Sequence, residues 1–457
     1  MLARVRSPAR TRATARPALR RRRTGSNRHH APRSFRIEAM NFLRTPFPRT
    51  GWSTRVPCRA RRDMIPRPSI DPRPSTGAAG EGELVARLGC PERRRPSAFV
   101  FIVLATSLSV WTRSGADQLE EARALVRALA SVGGVAGREG PVRAAIRRAA
   151  PSWASFQEDN LGNLTVSVGS GKPGLLLLAH MDEPGYVVTG VTDQGYLKLQ
   201  RLTRLSLSPL FDQFHMGQPL LIQGRRGTIP AVSVVYSTHL WRGNAAPLNR
   251  PVVDEDLFVD IGARSAADVE AAGVVLLDPV VIARRIVDLA GGKLAGPAMD
   301  DRAGCAALLL LLQELEPAKI HGTLTVAFSA QQLMGGRGAG RLANRVEADD
   351  VLVVDAPLPG GARTAPGKGP VVAVPGGTEG FSQEIYNRLA ERAARTRLPL
   401  QNATYGTAGD QSAFVGKTRV LPIGVPILYT GTPAEVVDAH DIVALATLLK
   451  SIAEEDR

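Results

Sequence analysis

Five consecutive apolar residues, Leu175 to Ala179, close on His180-Met181-Asp182-Glu183 and admit few folds. An alternating strand faces solvent on one side, whereas a strand apolar at every position must be covered on both faces, the situation of a parallel sheet sandwiched between helices. The residues around it agree. Asp117 to Val132 carries helical spacing, Gly133-Gly134 breaks it, and Pro141 to Ala150 reads as a second helix with proline in its first turn. Further on, helix Ala303 to Leu315, strand Leu324 to Ser329, helix Arg337 to Val346, strand Val351 to Asp355, helix Gly380 to Arg395, strand Ile427 to Thr430 and helix Ile442 to Glu455 alternate. The expected class is α/β, with a central, mostly parallel sheet and flanking helices.

Between these stretches the character changes. From Tyr186 to Asp278, short β-type runs are separated by Gly, Pro, Asn and Asp: Tyr186 to Thr192, Tyr196 to Gln200, Pro219 to Gln223, Thr228 to Val235 and Leu257 to Ile261. They predict a small inserted β-barrel-like domain over 186–292, carried by an α/β domain made of 116–185 and 293–457.

Charge separates the first quarter of the chain from the rest. The formal net charge is +16, yet residues 1–115 hold 25 arginines against 6 acidic residues, so 116–457 are slightly acidic. The basic residues lie in a Pro- and Arg-rich leader and not on a periodic face, which argues against a nucleic-acid-binding function for the folded part. Within the leader, Arg93-Arg94-Arg95 precedes an apolar segment over 97–110, with Ser107 and Ser109 at its end. That segment is short for a membrane span and of the size of a secretory signal core, so export to the periplasm or exterior is the expectation, cytoplasmic residence being the alternative; the mature domain is expected to need no membrane. Translation from a start downstream of Met1, such as Met64, fits a signal at that place. Cys58 and Cys90 fall in the leader; Cys305, inside an apolar helix, reads as a small core residue.

Three acidic or imidazole groups stand where an α/β sheet presents its ligands. His180 and Asp182 follow the buried strand, Asp300-Asp301 precede the helix from Ala303, and Asp355 closes the run Val351 to Val354. One histidine and two aspartates, His180, Asp300 and Asp355, give a divalent ion three protein ligands and an open position. Asp300 and Asp301 also suit a plain helix-capping role, and a histidine at a strand end is often only hydrogen-bonded.

In their order and spacing, Gly137-Arg138-Glu139-Gly140-Pro141-Val142, Asp159-Asn160-Leu161-Gly162-Asn163-Leu164, His180 to Glu183 with Gly185, Phe258-Val259-Asp260-Ile261-Gly262-Ala263-Arg264-Ser265, Asp300-Asp301-Arg302-Ala303-Gly304 and Pro433-Ala434-Glu435-Val436-Val437-Asp438 carry a resemblance. From Ala122 to Ala453 the chain resembles the cocatalytic metallo-aminopeptidases, which include the tetrahedral (TET), glutamyl and deblocking aminopeptidases and some proteins long labelled endoglucanases. The resemblance implies a hydrolase acting on peptide N-termini, with assembly into homo-oligomers through the β insert. It also implies one metal held by His180, the bridging Asp300 and Asp355, with Asp182 orienting the imidazole. The second ion's ligands map onto Leu333 and Gly431, and the general base onto Gln332. An isobutyl group and a bare glycine offer no lone pair from a side chain, and an amide takes no proton at neutral pH. The expectation is therefore one divalent ion (Zn²⁺, Co²⁺ or Mn²⁺) and no second, with peptide hydrolysis weak or lost; an active aminopeptidase using a mononuclear site or replacement ligands is the alternative. His440, Glu435 and Asp410 are the nearby groups able to refill the vacated positions. His239 lies in the β insert, His215 and His321 show no partner in the sequence, and Arg302 reads as a salt-bridge partner of Asp301.

Overall fold

In the computed structural model, the residues described are 114–203, 210–234, 250–356, 364–375, 381–405 and 409–454. The leader with its 97–110 segment, and His239, lie outside them. An eight-stranded sheet forms the centre. Strand Gly174–His180, buried at all seven positions, pairs in parallel with Thr323–Ser329 on one side and Asp350–Val354 on the other, and Arg419–Gly424 continues the parallel set. Antiparallel pairing appears outside these four, where Leu164–Gly169 joins Thr323–Ser329 and Val371–Pro375 joins Arg419–Gly424.

One apolar cluster fills the space between this sheet and helices Gly115–Ala130, Gly140–Ala149, Met299–Glu314 and Ala439–Ala453. Helix Met299–Glu314 buries nearly every residue, which explains the unbroken run from Leu308 to Leu312: a helix enclosed all round needs no polar face. Helix Arg337–Leu342 covers a smaller cluster on the other face, with Leu176, Leu178, Val351, Val353 and Phe414.

The insert closes into a barrel of six strands, among them Tyr186–Val191, Leu197–Arg201, Pro219–Gly224, Gly227–Val234, Phe258–Asp260 and Pro279–Ile282. Its own core is built on Tyr186, Leu199, Ile222 and Val280.

Several strands were not expected from the sequence, among them Val371–Pro375, Gln401–Tyr405 and Arg419–Gly424 of the central sheet. The expected strand Ile427 to Thr430 is a loop instead. It makes a single bridge, Leu428 to Val436, and then turns with Tyr429 at φ 59° and Gly431 at φ 76°. Positive φ at two positions is incompatible with an extended strand. Among the described residues no helix is long and apolar enough to cross a membrane.

Candidate metal centre

Parallel register sets the site. Ser329 lies opposite His180, and Val354 opposite Ala179, so the residues that follow three adjacent strands emerge side by side at one sheet edge. Asp300 arrives from the start of helix Met299–Glu314, where Ala298 takes a left-handed backbone conformation (φ 61°) and turns the chain toward His180.

His180 Nε2 lies 3.5 Å from Asp300 Oδ1 and 3.9 Å from Asp355 Oδ1. All three potential ligand atoms fall within 4.8 Å of one another, the one such group of three among the described residues. Tetrahedral ligands about 2.1 Å from a zinc ion are roughly 3.4 Å apart, so little movement separates this arrangement from coordination. The imidazole is set for it. Nδ1 donates to the Asp182 carbonyl oxygen at 3.1 Å, which turns Nε2 toward the two aspartates.

The electrostatics ask for a cation. Asp300 Oδ1 and Asp355 Oδ2 are buried without a hydrogen-bond partner. Burial, together with Asp300 and Asp410, pushes the Asp355 carboxyl up despite the opposing pull of His180. Burial works against charge on His180, but the neighbouring Asp182 and Asp300 carboxylates outweigh it and raise the imidazole well above its ordinary value. Packed anions that raise each other's pKa and strand their oxygens are what a bound divalent ion relieves. The residues present fit one such ion.

Asp182 is fully buried and links this group to the turn after strand Thr323–Ser329. Its Oδ1 accepts the Gln332 N–H and its Oδ2 the Leu333 N–H, both at 2.9 Å. The turn is tight, with Gln331 at φ 59°, Gly335 at 86° and Gly336 at 65°. Gly338 is obligatory there, since a Cβ would fall 2.2 Å from the Ala330 oxygen. Gln332 and Leu333 thus leave the backbone at fixed points beside the candidate ion site, and both are half-buried. Gly431 sits in the turn after Leu428, and a Cβ there would meet nothing within 4 Å.

The groups nearest these positions are already engaged. His440 Nδ1 is 2.8 Å from Asp438 Oδ1 at the start of the last helix, with its side chain 58% exposed, and it does not join the group. Asp410 is buried and accepts the Ser329 hydroxyl at 2.8 Å; burial lifts it to about 6 against the pull of His180. Glu435 is buried between Asp300 and Gly431 and accepts a backbone N–H from each. His215 donates from Nδ1 to the Phe211 carbonyl at 2.9 Å and packs edge-on to Tyr186, a structural role. His321 is exposed ahead of strand Thr323–Ser329, outside the group. Cys305 is a core residue whose thiol donates to the His180 carbonyl at 3.2 Å.

Arg302 is not the partner of Asp301. It is 1% exposed, donates to Glu183 at 3.0 Å and to the Met181 carbonyl at 2.5 Å, and shares Glu183 with Arg284. This buried arginine pair on one carboxylate was invisible in the sequence, because Arg284 lies about a hundred residues from Glu183, at the end of the barrel. Glu139 is likewise structural, its Oε1 accepting the Gly137 and Gln331 N–H groups at 2.7 and 3.0 Å.

Such a fold, with this donor set at the strand ends, defines a metal-dependent peptidase. Residues 162–448 match the family described as M42 glutamyl aminopeptidase, and the chain belongs to that family. It is 26% identical over 340 residues to a protein named as aminopeptidase FrvX of Escherichia coli (strain K12), covering 71% of this chain and 93% of that one. The glutamyl aminopeptidase of Lactococcus lactis subsp. cremoris (strain MG1363) is 27% identical over 243 residues, 50% of this chain and 65% of that one. Among solved structures, the Pyrococcus horikoshii TET1 peptidase superposes with a TM-score of 0.67 at 26% identity, over 74% of this chain and 99% of that one.

Proposed function

We propose that the chain engages the free N-termini of peptides at this strand-end site, with one divalent ion (Zn²⁺, Co²⁺ or Mn²⁺) on His180, Asp300 and Asp355, and that peptide hydrolysis there is slow or absent. When bound, the ion supplies Lewis acidity toward a carbonyl oxygen and toward water. The carrying observation is the grip of Asp182 on the Gln332 and Leu333 amides. It fixes an amide and an isobutyl group at the place where the family resemblance expects a proton-accepting carboxylate and a second-ion ligand. Loss of a general base alone costs about 10²- to 10⁴-fold in rate. A two-metal clamp also stabilises the attacking and leaving oxygens together, and that contribution goes with the second ion.

The test is metal stoichiometry with turnover. The full chain, loaded in turn with Zn²⁺, Co²⁺ and Mn²⁺, is assayed on aminoacyl anilides; one ion per chain with slow or no release is expected. Two tightly held ions with fast turnover would overturn the reading. The triple variant Gln332→Glu, Leu333→Glu, Gly431→His is expected to raise both ion count and rate. The second reading, an active aminopeptidase with replacement ligands, draws its support from Glu435 and Asp410, two buried carboxylates at the margin of the site.

We further propose that residues 116–185 and 293–457 form the peptidase unit, and that 186–292 serve homo-oligomer formation. Support comes from relatives: one solved TET1 structure is a dodecamer, and another is described as assembling into a tetrahedron or a large octahedral shell. Light scattering on the full chain tests it, a monomer being the contrary result. Export through 97–110 is the companion proposal; N-terminal sequencing of secreted protein tests that, and an intact Met1 in the cytosol would refute it.

A further inference from the structure

Glu435 is a 4%-exposed carboxylate on strand Glu435–Asp438. That strand pairs antiparallel with Lys293–Gly296, setting Glu435 opposite Gly296, four residues before Asp300. The pairing aims the side chain back at the helix start. Oε2 accepts the Asp300 N–H at 3.1 Å and Oε1 accepts the Gly431 N–H at 2.6 Å. One carboxylate therefore spans two chain segments that are more than a hundred residues apart in sequence. One carries a candidate ligand of the ion, and the other carries the turn where the resemblance puts a ligand of the second. Both segments need such a tie. Asp300 follows a left-handed Ala298, and Gly431 and Tyr429 both have positive φ. Without an acceptor, the Asp300 N–H would have no partner beside a buried helix start.

We infer that Glu435 is a positioning residue for the metal centre: its two oxygens hold the backbone of Asp300 at the distance from His180 that coordination requires, and hold the 428–434 turn against it. The inference rests on the assignment of Asp300 as a metal ligand. Each of its two oxygens accepts one backbone N–H, a pattern that an amide, with one acceptor end and one donor end, cannot reproduce. In Glu435→Gln the side-chain amide N–H₂ would face one backbone N–H, donor to donor, so one of the two grips is lost. Glu435→Asp is one methylene shorter and cannot reach both segments.

The experiment measures Zn²⁺ affinity by competition with a chromophoric chelator, and the visible spectrum of the Co²⁺-loaded protein, for the full chain and both variants. Glu435→Gln and Glu435→Asp are expected to lower Zn²⁺ affinity about 10- to 100-fold and to change the Co²⁺ spectrum. Thermal unfolding of the metal-free forms reports separately on folding. A folded Glu435→Gln with wild-type affinity and an unchanged Co²⁺ spectrum would overturn the inference. Should the variants not fold, hydrogen exchange on the wild-type chain decides: the Asp300 and Gly431 amides are expected to be protected without metal, and fast exchange at both would refute the clasp. Ion count per chain remains the readout of the functional proposal. A second bound ion would sink that proposal and leave the affinity loss in Glu435→Gln to stand or fall by itself.

Discussion

Replacing Glu183 by glutamine should unfold more of this protein than any substitution at the candidate ligands. Its carboxylate is 3% exposed and takes four contacts from three donors: the Gly134 N–H at 2.7 Å, Arg284 Nη2 at 2.5 and 2.6 Å to its two oxygens, and Arg302 Nη2 at 3.0 Å. Burial alone would push the carboxyl up, but Arg284 and Arg302 reverse this and hold it below the ordinary glutamate value. The charge is therefore present in the folded state, and its stabilising contribution is complete above the unfolded pKa and fades as pH falls toward the folded one. In Glu183→Gln two guanidinium groups stay buried with no counter-charge. Removing one partner of a buried ion pair costs about 3–5 kcal/mol. The retained amide oxygen still accepts one bond, which places the expected loss near the lower end, about 3 kcal/mol. At a urea slope of about 2–3 kcal/mol/M, the unfolding midpoint drops by about 1–1.5 M. Arg302 also donates to the Met181 carbonyl, between His180 and Asp182, so metal affinity should fall with stability. Adding Arg284→Met should recover part of the loss, because an apolar side chain in place of an unpaired buried cation removes the desolvation penalty. A midpoint shift equivalent to less than about 1 kcal/mol, or a double variant worse than the sum of the singles, would refute the charge argument.

Three other perturbations follow. His215 is buried, and burial, aided by Arg201, lowers its pKa to about 4 from 6.5, so the folded state resists protonation; stability should decline as pH falls from about 6.5 to 4, by roughly 3 kcal/mol at the low end, and His215→Gln should flatten that part of the pH–stability profile. In Gly304→Ala the new Cβ would lie 2.3 and 2.4 Å from the Asp301 carboxylate oxygens inside the core, for a loss of about 1–3 kcal/mol by thermal denaturation; an unchanged midpoint would show that Asp301 moves freely. Zn²⁺ at a hundred times its dissociation constant should stabilise the wild type by about 2.7 kcal/mol, and Asp355→Asn should abolish that increment while leaving metal-free stability equal or higher, since it removes one of several crowded anions; an undiminished zinc effect would place the ion elsewhere.

Much of the architecture was readable because burial writes itself into sequence. The fully enclosed strand Gly174–His180 and helix Met299–Glu314 are apolar nearly throughout, and no other environment explains them. Arg419–Gly424 was missed because Pro422 interrupts it, and Gln401–Tyr405 because its polar residues suit a sheet edge. Ile427 to Thr430 has a strand's composition, yet Tyr429 and Gly431 take positive φ and the Gly431 N–H goes to Glu435, features that periodicity does not encode. At the site, His180, Asp300 and Asp355 were legible because each ends or begins a strongly patterned element. Arg284 and the true partner of Arg302 were not, because they depend on where the barrel meets the strand end.

The same contacts fix much of the backbone at the candidate site independently of its side chains. Asp182 and Glu435 hold the 331–336 and 428–434 turns through backbone N–H groups, contacts that do not involve the side chains at 333 and 431, while the φ of 76° at Gly431 favours glycine there. A Cβ at 431 would touch nothing within 4 Å, so the constraint there is the backbone and not a packed neighbour. His180, Asp182 and Asp355 differ. They are almost wholly buried, and each follows a strand whose neighbours are fixed by register. Replacing His180 or Asp182 leaves the Asp182 carbonyl, or the Gln332 and Leu333 amides, without a partner in the core, at a cost of about 1–3 kcal/mol each. Folding alone therefore constrains His180 and Asp182 through the partners they hold, and position 431 through its left-handed backbone.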